Sequence, residues 1–145
     1  MAERISGADF RRMILGAYNA FLRNHEEINN LNVFPVPDGD TGTNMLLTLG
    51  AASRGLQEAA DAGIGTLAKR TADSAIMGAR GNSGVILAQL FRGIARGLAG
   101  KEEASSCEIG KAFQYGVLYA YRAVAQPVEG TILTVAKGVA RGARR

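Results

Sequence analysis

The chain has one cysteine, one histidine, three prolines and no tryptophan in 145 residues. The lone thiol, Cys107, excludes an intramolecular disulfide framework and a zinc site built from cysteines. With His25 as the only imidazole, a transition-metal centre lacks ligands too. No uninterrupted apolar run approaches the ~18 residues of a membrane-spanning helix. The opening Met1-Ala2-Glu3-Arg4 leads into an amphipathic pattern rather than the apolar core of a signal peptide. Convincing period-two alternation is also missing, which argues against sheet. These absences predict a cytoplasmic, all-α protein of a reducing compartment.

What is present is ordinary in bulk: 47% hydrophobic and 21% charged residues, with 17 Lys and Arg against 13 Asp and Glu for a net charge of +4. That charge permits anionic partners but gives no reason to expect nucleic acid. The length fits a single domain, 1–145, able to bury a real core. Glycine is the exception, with 19 residues against an average share of ~7%. Gly50, Gly93, Gly97 and Gly116 sit inside apolar helical patterns, where close approach of two helices is the expected reason.

Six helices are predicted. Ser6 caps the first, from about Ala8 to Glu27, with Phe10, Met13, Ile14, Ala17, Tyr18 and Phe21 at helical spacing. The second runs from about Thr43 to Ala60. Thr66 caps a third carrying Leu67, Ala68, Ala72, Ala75, Ile76 and Ala79 inward. The fourth, from about Ser83 to Leu98, is apolar over much of its circumference, Val85 included, and so is expected to be central. Ser105 and Glu108 form a capping box for the fifth, and Thr131 caps a last helix toward Ala140. Cys107 reads as a small residue, buried or adjacent to a cap. Arg92 and Arg96, one turn apart, read as a solvated face.

The chain is organised around Leu31-Asn32-Val33-Phe34-Pro35-Val36-Pro37-Asp38-Gly39-Asp40-Thr41-Gly42-Thr43-Asn44-Met45. Asp38 and Asp40 are the only charged residues between Glu27 and Arg54. Pro35 and Pro37 stiffen the approach, and Gly39 lets the backbone turn so that the two carboxylates converge. Thr41 or Thr43 can cap the helix that follows, leaving backbone N–H groups directed at the turn. Two like charges beside apolar side chains repel unless a cation joins them. Magnesium suits the pair because it takes carboxylate oxygens, keeps waters and accepts phosphate ligands. A solvated Asp-Gly turn is the competing reading and stays open at this point.

Gly81-Asn82-Ser83-Gly84 supplies a second such start, with Ser83 as cap and successive N–H groups forming an anion nest. Glu129-Gly130-Thr131 repeats the pattern, as a cap or as a further lining residue. Other signatures fail: there is no G-x-x-x-x-G-K-[ST], and Gly63-Ile64-Gly65-Thr66-Leu67-Ala68 lacks the preceding strand of a dinucleotide fold. An EF-hand starting at Asp38 would place Leu49 where the bidentate Glu belongs.

The stretch Asn29 to Met45, with Gly78-Ala79-Arg80-Gly81-Asn82-Ser83-Gly84-Val85-Ile86-Leu87 and Pro127-Val128-Glu129-Gly130-Thr131-Ile132-Leu133 following in order, resembles the nucleotide-binding domain of bacterial fatty-acid kinase. That domain is related to the DhaL-type ATP-binding subunit of dihydroxyacetone kinase. The resemblance implies an antiparallel α-helical barrel holding ATP and two magnesium ions at one rim. Asp38 and Asp40 would be the metal ligands and act in catalysis. Thr41, Thr43 and Asn44 would lie near the phosphates, and Asn82 and Ser83 would contact the nucleotide, with Gly81 and Thr131 counted in the same site. Dihydroxyacetone-kinase relatives carry a further upstream Asp and a His after the second Asp; this chain has Asn32 nearby, at a different spacing, and Thr41.

The resemblance also implies a separate acyl-binding protein that presents a fatty acid, whose carboxylate the kinase converts to an acyl phosphate. Such barrels have about eight helices against the six counted here, so an incomplete barrel closing its apolar faces on another chain, as in a homo-oligomer, is expected. Two alternatives stand beside this reading. One is the ATP-binding subunit of a dihydroxyacetone-type kinase. The other is a non-catalytic helical module that binds anions or a partner helix.

Overall fold

The computed structural model of the protein describes residues 3–31, 40–124, 137–139 and 141–142. Five helices dominate them: α1 (Gly7–Asn30), α2 (Thr41–Glu58), α3 (Ile64–Gly78), α4 (Gly81–Leu98) and α5 (Ser106–Arg122). The fold is all-α, as the patterning predicts. Its one addition is a two-stranded antiparallel ribbon, β1 (Arg4–Ser6) with β2 (Glu103–Ser105), in which Ile5 pairs with Ala104. Of the last expected helix, the described residues 137–139 and 141–142 are helical. No helix among the described residues is long and apolar enough to cross a membrane.

Each ribbon strand runs straight into a helix cap. Ser6 Oγ accepts from the Asp9 N–H at 3.1 Å while the Ser6 N–H donates to Asp9 Oδ2 at 3.0 Å. Ser105 and Glu108 repeat the box before α5, at 2.9 and 3.2 Å. Both satisfy N–H groups that a helix start otherwise leaves orphaned. Lys101 Nζ lies 2.6 Å from Glu108 Oε2 and Arg4 Nη2 lies 3.8 Å from its Oε1. The Lys101 hydrogen bond, followed by the Ser105 N–H, holds the Glu108 carboxyl down at about 2.

The helices run antiparallel. At the ribbon end Ile64 and Gly65, which open α3, donate their N–H groups to the Glu102 and Lys101 carbonyls at 3.0 and 2.9 Å. Backbone therefore caps α3 from Gly63 onward, and Thr66 is its third residue rather than its cap. At the same end Arg11 Nη2 closes α2 by donating to the Ala59 and Ala60 carbonyls at 2.9 and 3.2 Å. The opposite end gathers the N-termini of α2 and α4 with the C-terminus of α1.

The core runs through α2, α3 and α4, with Leu49, Leu56, Ile64, Leu67 and Leu98 buried. α5 lies on α4 through a seam of bare backbone. A Cβ added at Gly93 would fall 2.3 Å from the Tyr115 carbonyl oxygen, and one at Gly116 2.7 Å from that of Leu90. This is the close approach that the glycines in apolar helical patterns predict. Three residues expected to face inward do not: Met13, Ile76 and Val85 are 51%, 42% and 43% exposed. The neighbours cover only one arc of each helix, and Phe10 and Ile14 fill it on α1, Ala72 and Ala75 on α3, and Leu87 and Phe91 on α4. Cys107 is exposed, two residues past its cap Ser105, so the buried alternative for it fails.

Candidate functional site

The Asp40 and Gly81 segments, 41 residues apart in sequence, meet at the end remote from the ribbon. Asp40 is exposed and is the N-cap of α2, its carbonyl accepting from the Asn44 N–H at 2.9 Å. The cap is therefore the aspartate itself; neither Thr41 nor Thr43 holds that position, since both lie inside the first turn. α4 likewise begins earlier than expected. Its N-cap is Arg80, which makes no side-chain cap bond, and Ser83 is the third helical residue rather than the cap.

Asn44 joins the two starts. Its amide packs against Gly81 so closely that a Cβ there would lie 2.3 Å from Asn44 Nδ2. Gly81 also has φ +64°, in the left-handed region that only glycine enters without strain. One turn deeper, buried Thr48 ties the same helices together. Its hydroxyl donates to the Asn44 carbonyl at 2.8 Å and accepts from the Arg80 N–H at 3.3 Å.

α1 braces this end from the other side. Asn29 Oδ1 accepts from the Thr43 N–H at 2.9 Å, and Asn29 Nδ2 donates to Thr43 Oγ1 at 2.8 Å. Gly42 sits against α1, a Cβ there falling 2.2 Å from the His25 carbonyl oxygen. Asn29, which opens the stretch that carries the family resemblance, thus supports the site from α1, and Thr48 supports it from within α2. The Asn29–Thr43 spacing has no helical period, so only the repeated Asn within the resembling stretch could have drawn attention to it.

Of the expected site residues, Asp40, Thr41, Thr43, Asn44, Gly81, Asn82 and Ser83 thus stand at one end on two adjoining helix starts. Asp38, Thr131 and the possible third ligand Asn32 lie outside the described residues. Among the described residues no group of three or more His, Cys, Asp or Glu side chains comes together. Asp40, an exposed carboxylate, stands at this end. Each helix start carries a partial positive charge from its aligned peptides, and two side by side repel until an anion lies between them.

What the fold and this end define is an all-α module of antiparallel helices with paired helix starts suited to an anion. The DAK2 domain matches residues 35–145, and the chain belongs to the DAK2-domain family, the dihydroxyacetone-kinase-like group to which the DhaL-type resemblance pointed. Its relatives include an uncharacterized protein of Staphylococcus epidermidis, 47% identical over 143 residues, which are 99% of this chain and 26% of that protein. An uncharacterized protein of Staphylococcus aureus is 46% identical over the same span and share. The chain spans about a quarter of the length of these relatives.

Proposed function

We propose that the adjoining starts of α2 and α4 bind the phosphates of ATP with magnesium, as the nucleotide module of a kinase that phosphorylates a fatty-acid carboxylate. The observation that carries this reading is the contact of Asn44 with Gly81, which sets two helix starts without side-chain caps side by side. Membership of the DAK2 family supports it. Asp38 and Asp40 would hold the metal. Its chemistry there is to neutralise charge on the transferring phosphoryl group. Backbone N–H groups of the first turns of α2 and α4, apart from that of Thr43, which Asn29 holds, orient the phosphates, with Thr41, Asn82 and Ser83 hydroxyls and amides beside them. Thr131 belongs to the same proposal.

A carboxylate acceptor is already deprotonated at neutral pH, so this site needs no general base. The acceptor is presented by a separate acyl-binding protein, and the rest of the longer polypeptide seen in the relatives takes part. Thr41, where dihydroxyacetone-kinase relatives carry His, disfavours a triose acceptor.

Two measurements test the reading. Melting of the chain with ATP and Mg²⁺ together is expected to rise, by about 2.7 kcal/mol of linked stabilisation at a hundredfold excess over Kd. Asp38→Ala and Asp40→Ala are each expected to remove that gain. An unmoved melting temperature with ATP and Mg²⁺ refutes the nucleotide site. The acceptor is tested on the full-length protein with an acyl-binding protein and fatty acid, trapping acyl phosphate as the hydroxamate. Phosphorylation of dihydroxyacetone without trapped hydroxamate would replace the acceptor while keeping the site.

A further inference from the structure

The flank of the bundle where α3, α4 and α5 meet carries a group of cations away from the paired helix starts. Arg92 and Arg96 leave α4 one turn apart, and Arg122 comes from the last turn of α5. All three gather on one phenol. The Arg92 and Arg122 guanidinium carbons lie 5.8 and 6.0 Å from the centre of the Tyr119 ring, and Arg96 Nη1 donates to Tyr119 Oη at 2.9 Å. Arg96 also lies 5.5 Å from the centre of the Tyr115 ring. Among the described residues no carboxylate pairs with any of the three.

Arg92, Arg96 and Tyr119 line an open cleft of about 410 Å³ together with Ala72, Ala95, Gly100, Thr66, Lys69 and Asp73, and Arg122 stands beside it against the same ring. The acid there is already engaged, since Asp73 Oδ2 accepts from Lys69 Nζ at 3.0 Å. Counting Lys69 with Arg92 and Arg96, three cations line the cleft against one anion, and Arg122 adds a fourth charge nearby, a local excess that a bound dianion relieves. A guanidinium lying over an aromatic ring keeps its N–H edge free and pre-oriented for two parallel bonds to a phosphate. Eleven residues of helix separate Gly81 from Arg92, roughly 16 Å of axis, so the cleft is a place apart from the α2–α4 end.

We propose that this cleft is a binding site for a phosphomonoester dianion, gripped by Arg92 and Arg96 beside Tyr119, with Arg122 contributing charge from its place against the same ring. The Arg96 hydrogen bond holds the Tyr119 hydroxyl below its usual acidity range and raises the guanidinium above its own. A phosphate that draws Arg96 away gives the phenol back its ordinary titration, which makes Tyr119 a built-in reporter. The phosphoryl group can belong to a small molecule in solution or to a lipid headgroup, and the chemistry of the cleft is the same for both.

The test titrates the protein with inorganic phosphate and with glycerol 3-phosphate, following ³¹P line broadening and the ultraviolet signal of tyrosinate. Saturable binding is expected, with the tyrosinate signal moving to higher pH as the site fills. Arg92→Gln with Arg96→Gln is expected to weaken binding at least tenfold, and Arg122→Glu, at an exposed position, to do so without disturbing the α4–α5 seam. Tyr119→Phe is expected to keep binding and lose only the optical signal. Sedimentation with phosphatidate vesicles against phosphatidylcholine vesicles separates the sources: co-sedimentation lost in Arg122→Glu assigns the headgroup, and soluble binding alone assigns the free ester. Unchanged affinity in both arginine variants overturns the proposal. So does binding that disappears in Asp40→Ala but survives in Arg122→Glu, which would return the anion to the paired helix starts.

Discussion

At the ribbon end α1 and α5 begin on closed capping boxes, whereas at the opposite end α2 and α4 begin with no side-chain cap. Short polar side chains stand near the starts at both ends: Ser6, Ser105 and Ser106 at one, Thr41, Thr43, Asn82 and Ser83 at the other. Ser6 and Ser105 turn their hydroxyls back onto their own helices. At the other end Thr48 is spent one turn deeper and Asn29 of α1 holds both the N–H and the hydroxyl of Thr43, so the starts of α2 and α4 are braced by neighbouring helices rather than by the side chains of their own N-cap residues. A helix start braced from outside, with one donor taken as at Thr43, can present its remaining N–H groups to a ligand. One that caps itself contributes stability and nothing else. The contrast separates helix starts that cap themselves from helix starts that lean on their neighbours within a single small fold.

The sharpest way to break the contrast is at Gly81. Gly81→Val places a β-branched residue at φ +64° and against Asn44, and is expected to cost about 1–3 kcal/mol and to remove ATP–Mg²⁺ stabilisation with it. Urea denaturation with and without ligand reads both effects, and wild-type behaviour in either would separate Gly81 from the junction. Ser6→Ala and Ser105→Ala should each cost ~1 kcal/mol while leaving nucleotide affinity unchanged, because their bonds serve only the ribbon end. Ser83→Ala is the mirror experiment. Since Ser83 caps nothing, ligand-free stability should stay within about 0.5 kcal/mol while nucleotide affinity falls. A stability loss of cap size at Ser83 would place it in the wrong class.

The last prediction concerns acid. Glu108 titrates at about 2 in the folded chain against an ordinary 4.5, so its contribution is complete above 4.5 and disappears as pH falls through 2. Glu108→Gln should therefore flatten the decline in stability between those values and change nothing at neutral pH beyond the loss itself. An identical acid limb in the variant would show that Lys101 and Ser105 do not hold the carboxylate in solution.

How much of this was written in the residues depended on distance along the chain. The capping boxes were legible because Ser6–Asp9 and Ser105–Glu108 are three residues apart, and five helices followed from spacing alone. The ribbon was not, because three-residue strands show no alternation and their partners lie far away. The caps assigned to Thr66 and Ser83 failed for a related reason. Backbone carbonyls of Glu102 and Lys101 took over the start of α3, and Gly81 in the left-handed region began α4 earlier. Arg92 and Arg96 read as a solvated face because their aromatic partners stand on the next helix. At the site, residue types and motif order were enough to nominate Asp40, Asn44 and Gly81. Nothing in the order of residues revealed that Asn29 would bind Thr43.

The ribbon has one more consequence. Arg4 pairs with Ser105, so six residues close a circuit of roughly a hundred. Drawing such ends together costs on the order of 4 kcal/mol in chain entropy, more than three short rungs return by themselves. The clasp can therefore shut only after α1 through α4 have assembled and delivered α5 alongside. Its amide protons should be among the first to exchange when the assembly loosens, making the ribbon a latch that reports completion of folding rather than a seed that starts it.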